Sequence, residues 1–186
     1  MTVLTLYPTE KIDHLVWPKS HEELTKESPA LAIFTDFEMY NPLVLEENTS
    51  AIEAEKLMAK AHVRMKIVVD KSNNFLGIVS LKDLSEQEVI KKISNGHERP
   101  NLMITDFMRK KSDLSAFDFD ELETATIGDI VDALEESAHQ HCLVVDRDKH
   151  QIRGLISASD IARKLHIPID ISKKPTFMEV FSISRH

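Results

Sequence analysis

An α+β fold made of two copies of one structural unit is what the sequence predicts, and three observations predict it. Residues 50–70 (SAIEAEKLMAKAHVRMKIVVD) align without a gap on residues 126–146 (TIGDIVDALEESAHQHCLVVD), a shift of 76. Both blocks pass from a helical spacing of apolar residues into a short apolar run closed by an aspartate. The next strand of each ends in one pattern: Gly77, two aliphatics, Ser80 and Asp83 in the first, and Gly154, two aliphatics, Ser157 and Asp160 in the second.

The elements follow in order. The first unit opens on an extended segment, Asn41 to Leu45. Its helix carries Ile52, Leu57, Met58 and Ala61 on one face, and Ile67-Val68-Val69 forms the strand behind it. A polar turn from Lys71 to Asn74 leads to the strand FLGIVS at 75–80, so the two strands make a hairpin, and a helix is predicted over Leu81 to Lys92. The second unit repeats the scheme. An extended segment lies around Asp113 to Phe117, and Ile127, Ile130, Val131, Leu134 and Ala138 make a helical face before the strand Leu143-Val144-Val145. The turn Arg147 to Gln151 is one residue longer, so the shift becomes 77. The strand IRGLIS at 152–157 and a helix from Ala158 to Leu165 complete the unit. The predicted division is an N-terminal extension at 1–31, repeats at 32–95 and 96–167, and a tail at 168–186. The clusters Leu15-Val16-Trp17, Phe177-Met178 and Val180-Phe181 predict that both extensions pack against something.

Composition narrows the function. The chain has 186 residues, 42% of them hydrophobic, enough for a real core but not for a large multidomain enzyme. Thirty-one acidic against 23 basic side chains give a formal charge of −8, which repels phosphate backbones and anionic membranes, so no nucleic-acid or membrane partner is expected. The single cysteine, Cys142, excludes an intrachain disulfide and an all-cysteine metal site, and the cytoplasm is the expected compartment. The four glycines fall into neither P-loop nor Rossmann spacing. Met1 to Pro18 lacks the apolar core of a signal peptide, and no stretch has the apolar length of a membrane span.

The repeated Gly-h-h-Ser-x-x-Asp pattern has two physical readings. A glycine in a strand lets a backbone or a flat ligand approach closely. A serine at the strand-to-helix junction holds an anion on the positive end of the helix, and an aspartate in the first turn accepts both hydroxyls of a ribose. Ser-x-x-Asp is also close to a capping box, in which serine and acid satisfy the free amides of the helix. The two are compatible, since a cap opens to a phosphate, and the duplication favours a ligand site.

These residues resemble the cystathionine β-synthase (CBS) domain, found in tandem as a Bateman module, over residues 32–165. The resemblance implies two CBS-type repeats packed about a pseudo-twofold axis, with a cleft that holds adenosine-containing ligands such as AMP, ADP or ATP. It implies that Asp83 and Asp160 hold ribose hydroxyls, that Ser80 and Ser157 lie near phosphate, and that Ile78 and Leu155, each beside its motif glycine, line the adenine. Arg64 stands where the family places a basic phosphate contact. Its counterpart is Gln140, between His139 and His141, so the two sites are expected to be unequal. Asn41 matches a position that reaches the base bound by the opposite repeat. The sequence departs from the family at Ile67 and Leu143, where proline is common, and at Lys82, where a small hydroxyl is usual. Asp118, Asp120, Glu121 and Glu123 would repel a polyphosphate if they faced the cleft.

Other candidates are weaker. His139, His141 and Cys142 offer metal-ligand chemistry, but they straddle a helix-to-strand junction and no second cluster completes the sphere, so no metal is expected. The acids at 118–123 read as a solvated loop rather than a magnesium site. Cys142 begins a buried strand, where a thiol is inert, and no catalytic constellation stands out. The expected function is therefore a regulatory, non-enzymatic sensor without a required cofactor. It would bind an adenosine nucleotide, switch a partner protein and form a homodimer through helical faces rich in Ala54, Ala59 and Ala61. The alternative is a ligand-free dimerisation or scaffold module.

Overall fold

The computed structural model describes residues 5–11, 13–17 and 23–171. A 3₁₀ turn at Ala30–Ile33 leads into β1 (Thr35–Asp36). The first repeat then runs β2 (Val44–Glu46), α1 (Ala51–Lys60), β3 (Met65–Val69), β4 (Phe75–Ser80) and α2 (Glu86–Ser94). After two further short turns comes β5 (Arg109–Lys110). The second repeat follows with β6 (Ala116–Asp118), α3 (Phe119–Leu122), α4 (Ile127–Ser137), β7 (His141–Asp146), β8 (Gln151–Ser157) and α5 (Ala158–Leu165).

Local chemistry accounts for these boundaries. α4 starts in a capping box: the Thr126 backbone N–H and hydroxyl each donate to Asp129 at 2.8 Å, and the Asp129 N–H returns a bond to the Thr126 hydroxyl. Its buried face is Ile127, Ile130, Val131 and Leu134, at the predicted helical spacing. α1 buries Ala51, Ala54 and Met58, so of its predicted face only Met58 is buried, Ile52 is half-buried and Leu57 and Ala61 are exposed, while Ala54, expected on an exposed helical face, belongs to the core. Both helices are left through a residue with positive φ, His62 (53°) and Ala138 (55°), which are equivalent under the shift of 76. The hairpin turns hold a second equivalent pair, Asn73 (62°) and His150 (51°). The duplication thus extends to backbone conformation.

Two predicted elements differ. The helix expected from Leu81 starts at Glu86, because Ser80 and Asp83 close a turn on themselves: the Leu84 N–H bonds back to the Ser80 carbonyl, and the helix begins afresh after Ser85. The acidic loop at 118–123 contains the short helix α3, capped by Asp118, with Leu122 buried beneath it.

The strands form two four-stranded sheets, in the orders β2-β3-β4-β5 and β1-β8-β7-β6. Within each, the first strand of the repeat runs parallel to the next, and the hairpin strands are antiparallel. The outer strands cross over. β1 lies at the start of the first repeat's span but pairs with β8 of the second, while β5 lies in the second repeat's span and pairs with β4 of the first. Sequence and space therefore divide the chain differently: residues 35–36 lie within the predicted span of the first repeat and complete the sheet of the second. The motif glycines make this crossing possible. A Cβ on Gly154 would collide with the Thr35 carbonyl oxygen and the Phe34 ring, and a Cβ on Gly77 with the Arg109 carbonyl oxygen.

Arg153 secures the crossing from the side, donating to both oxygens of Asp36 at 2.9 and 2.8 Å, with Glu38 at 3.0 Å and its guanidinium 4.4 Å from the centre of the Phe119 ring. That bidentate bond holds the Asp36 carboxyl below its ordinary range.

Each repeat has its own core under its helices, centred on Met58, Val68 and Val79 in the first and on Leu134, Val144 and Ile156 in the second. A third cluster joins the sheets: Met65, Ile67, Val69 and Ile78 pack with Leu143, flanked by Ile152 and Leu155. It is the floor of the space between the repeats. Leu24, Ala30 and Ile33 from the N-terminal side, and Ile169 and Ile171 from the C-terminal side, pack on the second core. Leu15 and Val16, in contrast, are 76% and 100% exposed, so their predicted packing is not made within the described residues. Phe177, Met178, Val180 and Phe181 lie outside the described residues. No described helix is long and apolar enough to cross a membrane.

The crossing makes a direct prediction. Gly154→Ala has to push β1 away from β8, and a loss of about 1–3 kcal/mol is expected, the cost of overpacking a filled site. Urea unfolding of the variant against the parent measures it; an unchanged midpoint would contradict the packing described.

Candidate functional site

The site is built at the junction of β8 and α5. Ser157 ends the strand, is buried, and gives no side-chain bond to the helix that starts behind it. Asp160, in the first turn, pairs with Arg163 three residues on. From the other repeat come His62 and Arg64, on the turn that leaves α1; the Arg64 carbonyl accepts the Leu81 N–H at 2.9 Å, which fixes this turn against the end of β4. The side chains surround an open cavity of ≈ 410 Å³, with Leu155, Ser157 and Asp160 on one side and Arg64 on the other. His141 and Ser159 complete its wall. Arg64, Leu155, Ser157 and Asp160 are thus brought together, with Arg64 serving the opposite repeat.

The equivalent region of the first repeat is built differently. The Ser80 backbone N–H and hydroxyl donate to Asp83 Oδ2 at 2.8 and 2.7 Å, and the Asp83 N–H bonds back to Ser80 Oγ at 3.2 Å. Here the capping box is formed. Arg109 Nε stands 3.8 Å from the same carboxylate oxygen. Ile78 is buried in the core between the sheets, and the crevice it lines with Arg109, Leu114 and His139 holds only ≈ 10 Å³, about one water. Asn41 lies apart from both regions, in a groove of ≈ 690 Å³ with Phe37, Ile67, Phe75 and Ile152. Gly77 and Gly154 serve the crossing strands.

Charge is concentrated on the Asp160 side, where two arginines and two histidines meet one carboxylate. Burial, with Arg109 and Arg64 nearby, lowers the His141 pKa, and Asp160 opposes that only in part. The ring is thereby biased toward its neutral form. Cys142, next to it, is pushed up to about 11 by burial, so its thiol has little nucleophilic character. Among the described residues no group of three His, Cys, Asp or Glu side chains is placed to hold a metal ion.

Among the wall residues that escaped the sequence reading are His62, Ser159, Arg163 and Arg109. Ser159 carried a signal, since it supplies the small hydroxyl that Lys82 replaces in the first motif. Arg163 carried another, standing one helical turn after Asp160 where Glu86 follows Asp83. Arg109 carried none, because only the strand crossing brings it to Ile78.

Comparison with known proteins bears on the family and the fold. The family model described as CBS domain matches residues 35–90 and 122–167. Among solved structures, the chain is similar to an uncharacterized conserved protein from Pyrococcus horikoshii, with 18% identity, 79% of this chain and 98% of that one covered, and a TM-score of 0.55. It is also similar to CBSX2 from Arabidopsis thaliana, crystallised in complex with AMP, with 22% identity, coverage of 73% and 94%, and a TM-score of 0.53. A third is the CBS domain pair of protein MJ0100 in complex with 5′-methylthioadenosine and S-adenosyl-L-methionine, with 18% identity, coverage of 73% and 94%, and a TM-score of 0.51. No curated protein matches the chain.

The position of His141 gives a pH dependence. Folding disfavours its charged form, so the stabilising contribution is complete above the ordinary histidine value of about 6.5 and is lost as pH falls through the lower folded value. Melting temperatures recorded from about pH 7 down to about pH 5 are expected to fall, and to fall less steeply in His141→Gln. Parallel curves for the two proteins would remove His141 as the cause.

Proposed function

The chain belongs to the CBS domain family, and from that premise we propose that it is a regulatory, non-enzymatic module which binds an adenosine-containing nucleotide between its two repeats and reports occupancy to a partner protein. The observation that carries this reading is the convergence of Arg64 from one repeat with Ser157 and Asp160 from the other around a single opening. The chemistry fits a nucleotide in parts. A carboxylate in the first turn of α5 accepts a ribose diol. A hydroxyl at the helix start, with an arginine and imidazoles nearby, meets a phosphate. Leu155, beside Gly154, offers an apolar surface to a base. The AMP bound by CBSX2 and the adenosyl compounds bound by MJ0100 belong to the same chemical class, which supports AMP, ADP, ATP or a relative as the ligand here.

A ligand that touches both repeats favours the relative orientation in which its contacts are made, and a partner that distinguishes the orientations is switched by that difference in affinity. The single, unreactive thiol fits a reducing compartment such as the cytoplasm.

A second reading rests on a different observation. Leu57, Ile90 and Ile93 are exposed large apolar side chains on α1 and α2. They favour a homodimer through the helices, and a module that keeps only this contact is a scaffold.

Thermal denaturation in the presence of AMP, ADP, ATP, S-adenosylmethionine, NAD or magnesium separates the two. At a hundred times its dissociation constant, a bound nucleotide is expected to add about 2.7 kcal/mol of stability. Asp160→Ala is expected to abolish the shift. A ligand-free preparation whose melting temperature responds to none of the adenosine compounds would leave the scaffold reading standing.

A further inference from the structure

The two halves of the cleft are related by sequence but not by the residue that the crossing strand brings to each. β8 pairs with β1 so that Leu155 faces Thr35, and β4 pairs with β5 so that Ile78 faces Arg109. Since Ile78 and Leu155 are equivalent, Arg109 is the structural counterpart of Thr35. One half therefore receives a short hydroxyl side chain and the other a long cation.

The consequences are seen in two neighbouring cavities that share His141 and Leu155 in their walls. Beside Leu155 an opening of ≈ 410 Å³ remains, whereas beside Ile78 only ≈ 10 Å³ is left. Arg109 Nε is buried without a hydrogen-bond partner and lies 3.8 Å from Asp83 Oδ2, the oxygen that already accepts two bonds from Ser80. A ribose diol would meet a carboxylate whose Oδ2 is already taken by Ser80 and faces Arg109, and a base has little room in the crevice beside Ile78. A guanidinium that forgoes a hydrogen bond in order to sit against the carboxylate and the aliphatic floor takes the volume and the charge a ligand would use.

Building on the proposed function, we infer that Arg109, its Nε buried beside Asp83, occupies the first-repeat half of the cleft, so that each chain takes one adenosine nucleotide, on the Asp160 side, and not two. The first repeat contributes Arg64 to that site and is otherwise closed. Arg109 thus determines stoichiometry, and it does so without touching the ligand.

Calorimetric titration of the full chain with AMP tests this. One site per chain is expected. Asp160→Ala should weaken binding by at least about tenfold through loss of a charge-assisted hydrogen bond, and Asp83→Ala should leave the affinity within about twofold. Arg109→Thr, which copies the residue of the open half, should raise the stoichiometry to two; circular dichroism and the melting temperature establish that this variant is folded. Two sites in the parent chain, or one site lost with Asp83→Ala and kept with Asp160→Ala, would overturn the inference and leave the proposed function intact. A folded Arg109→Thr chain that still binds one AMP would overturn the role of Arg109. No binding by the parent chain would remove the proposed function, and this inference with it. Because the two aspartate variants keep Arg109, they decide the site assignment even if Arg109→Thr fails to fold.

Discussion

The close approach of each crossing strand to a glycine is the constraint on which the rest of the structure depends. β1 and β5 are two residues long and carry little stability by themselves. They hold their places because Gly154 and Gly77 let their carbonyl oxygens come where a Cβ would stand, and because Arg153 grips Asp36 across 117 positions of sequence. Once they are seated, neither sheet is complete without a segment from the other side of the chain. The repeats become one object, joined by the Met65, Ile67, Ile78 and Leu143 cluster between the sheets.

That arrangement also explains why a duplicated motif gives two different sites. Ser80-x-x-Asp83 and Ser157-x-x-Asp160 begin with the same chemistry. In the second, Arg163 lies one turn after the aspartate and engages its carboxylate, which leaves the serine hydroxyl out of a capping box. In the first, the equivalent residue is Glu86, which offers Asp83 no counter-charge and pairs with Arg99 instead; Asp83 turns back onto Ser80, and the helix begins late. The crossing strands then reinforce the difference, Thr35 on one side and Arg109 on the other. Local electrostatics and long-range topology act in the same direction.

The division between what could be read from sequence and what could not follows the same line. The helices α1 and α4, the two hairpins and the repeat itself were legible, because they are local patterns of period 3.6 and 2 with turn residues at matching places. The fold class followed from them, and so did the pairing of serine and aspartate at the helix start. The crossing of β1 and β5 was not legible: a two-residue strand has no periodicity, and its partner lies more than a hundred residues away for β1. For that reason Arg64 could be named as a phosphate contact while the repeat it serves could not, and Arg109 could not be named at all. The delayed start of α2 was missed for a smaller reason, since the Ser-x-x-Asp signal predicts a helix start equally well whether the turn is followed at once by the helix, as after Ser157, or by a second cap at Ser85.

A shared core and exchanged strands limit how a bound nucleotide acts. Large rotation of one repeat against the other would tear β1 from β8 and expose the apolar cluster between the sheets, at a cost in buried area that a single ligand does not repay. The parts free to respond are at the rim. Arg163 is 74% exposed at its side chain and paired with Asp160, so a ribose that takes Asp160 releases a guanidinium toward the phosphate end of the same opening. Arg64 sits on the turn tied to the end of β4 by its carbonyl, so a phosphate that draws its side chain loads the β3–β4 end of the first repeat. A ligand shifts an equilibrium only by its difference in affinity for the two states, about 1.4 kcal/mol for each tenfold. In the proposed module that difference is supplied by a few charged groups changing partners, which biases small changes in the relative orientation of the repeats rather than a large rotation, and the rim around Arg64 and α5 is where a partner would read them.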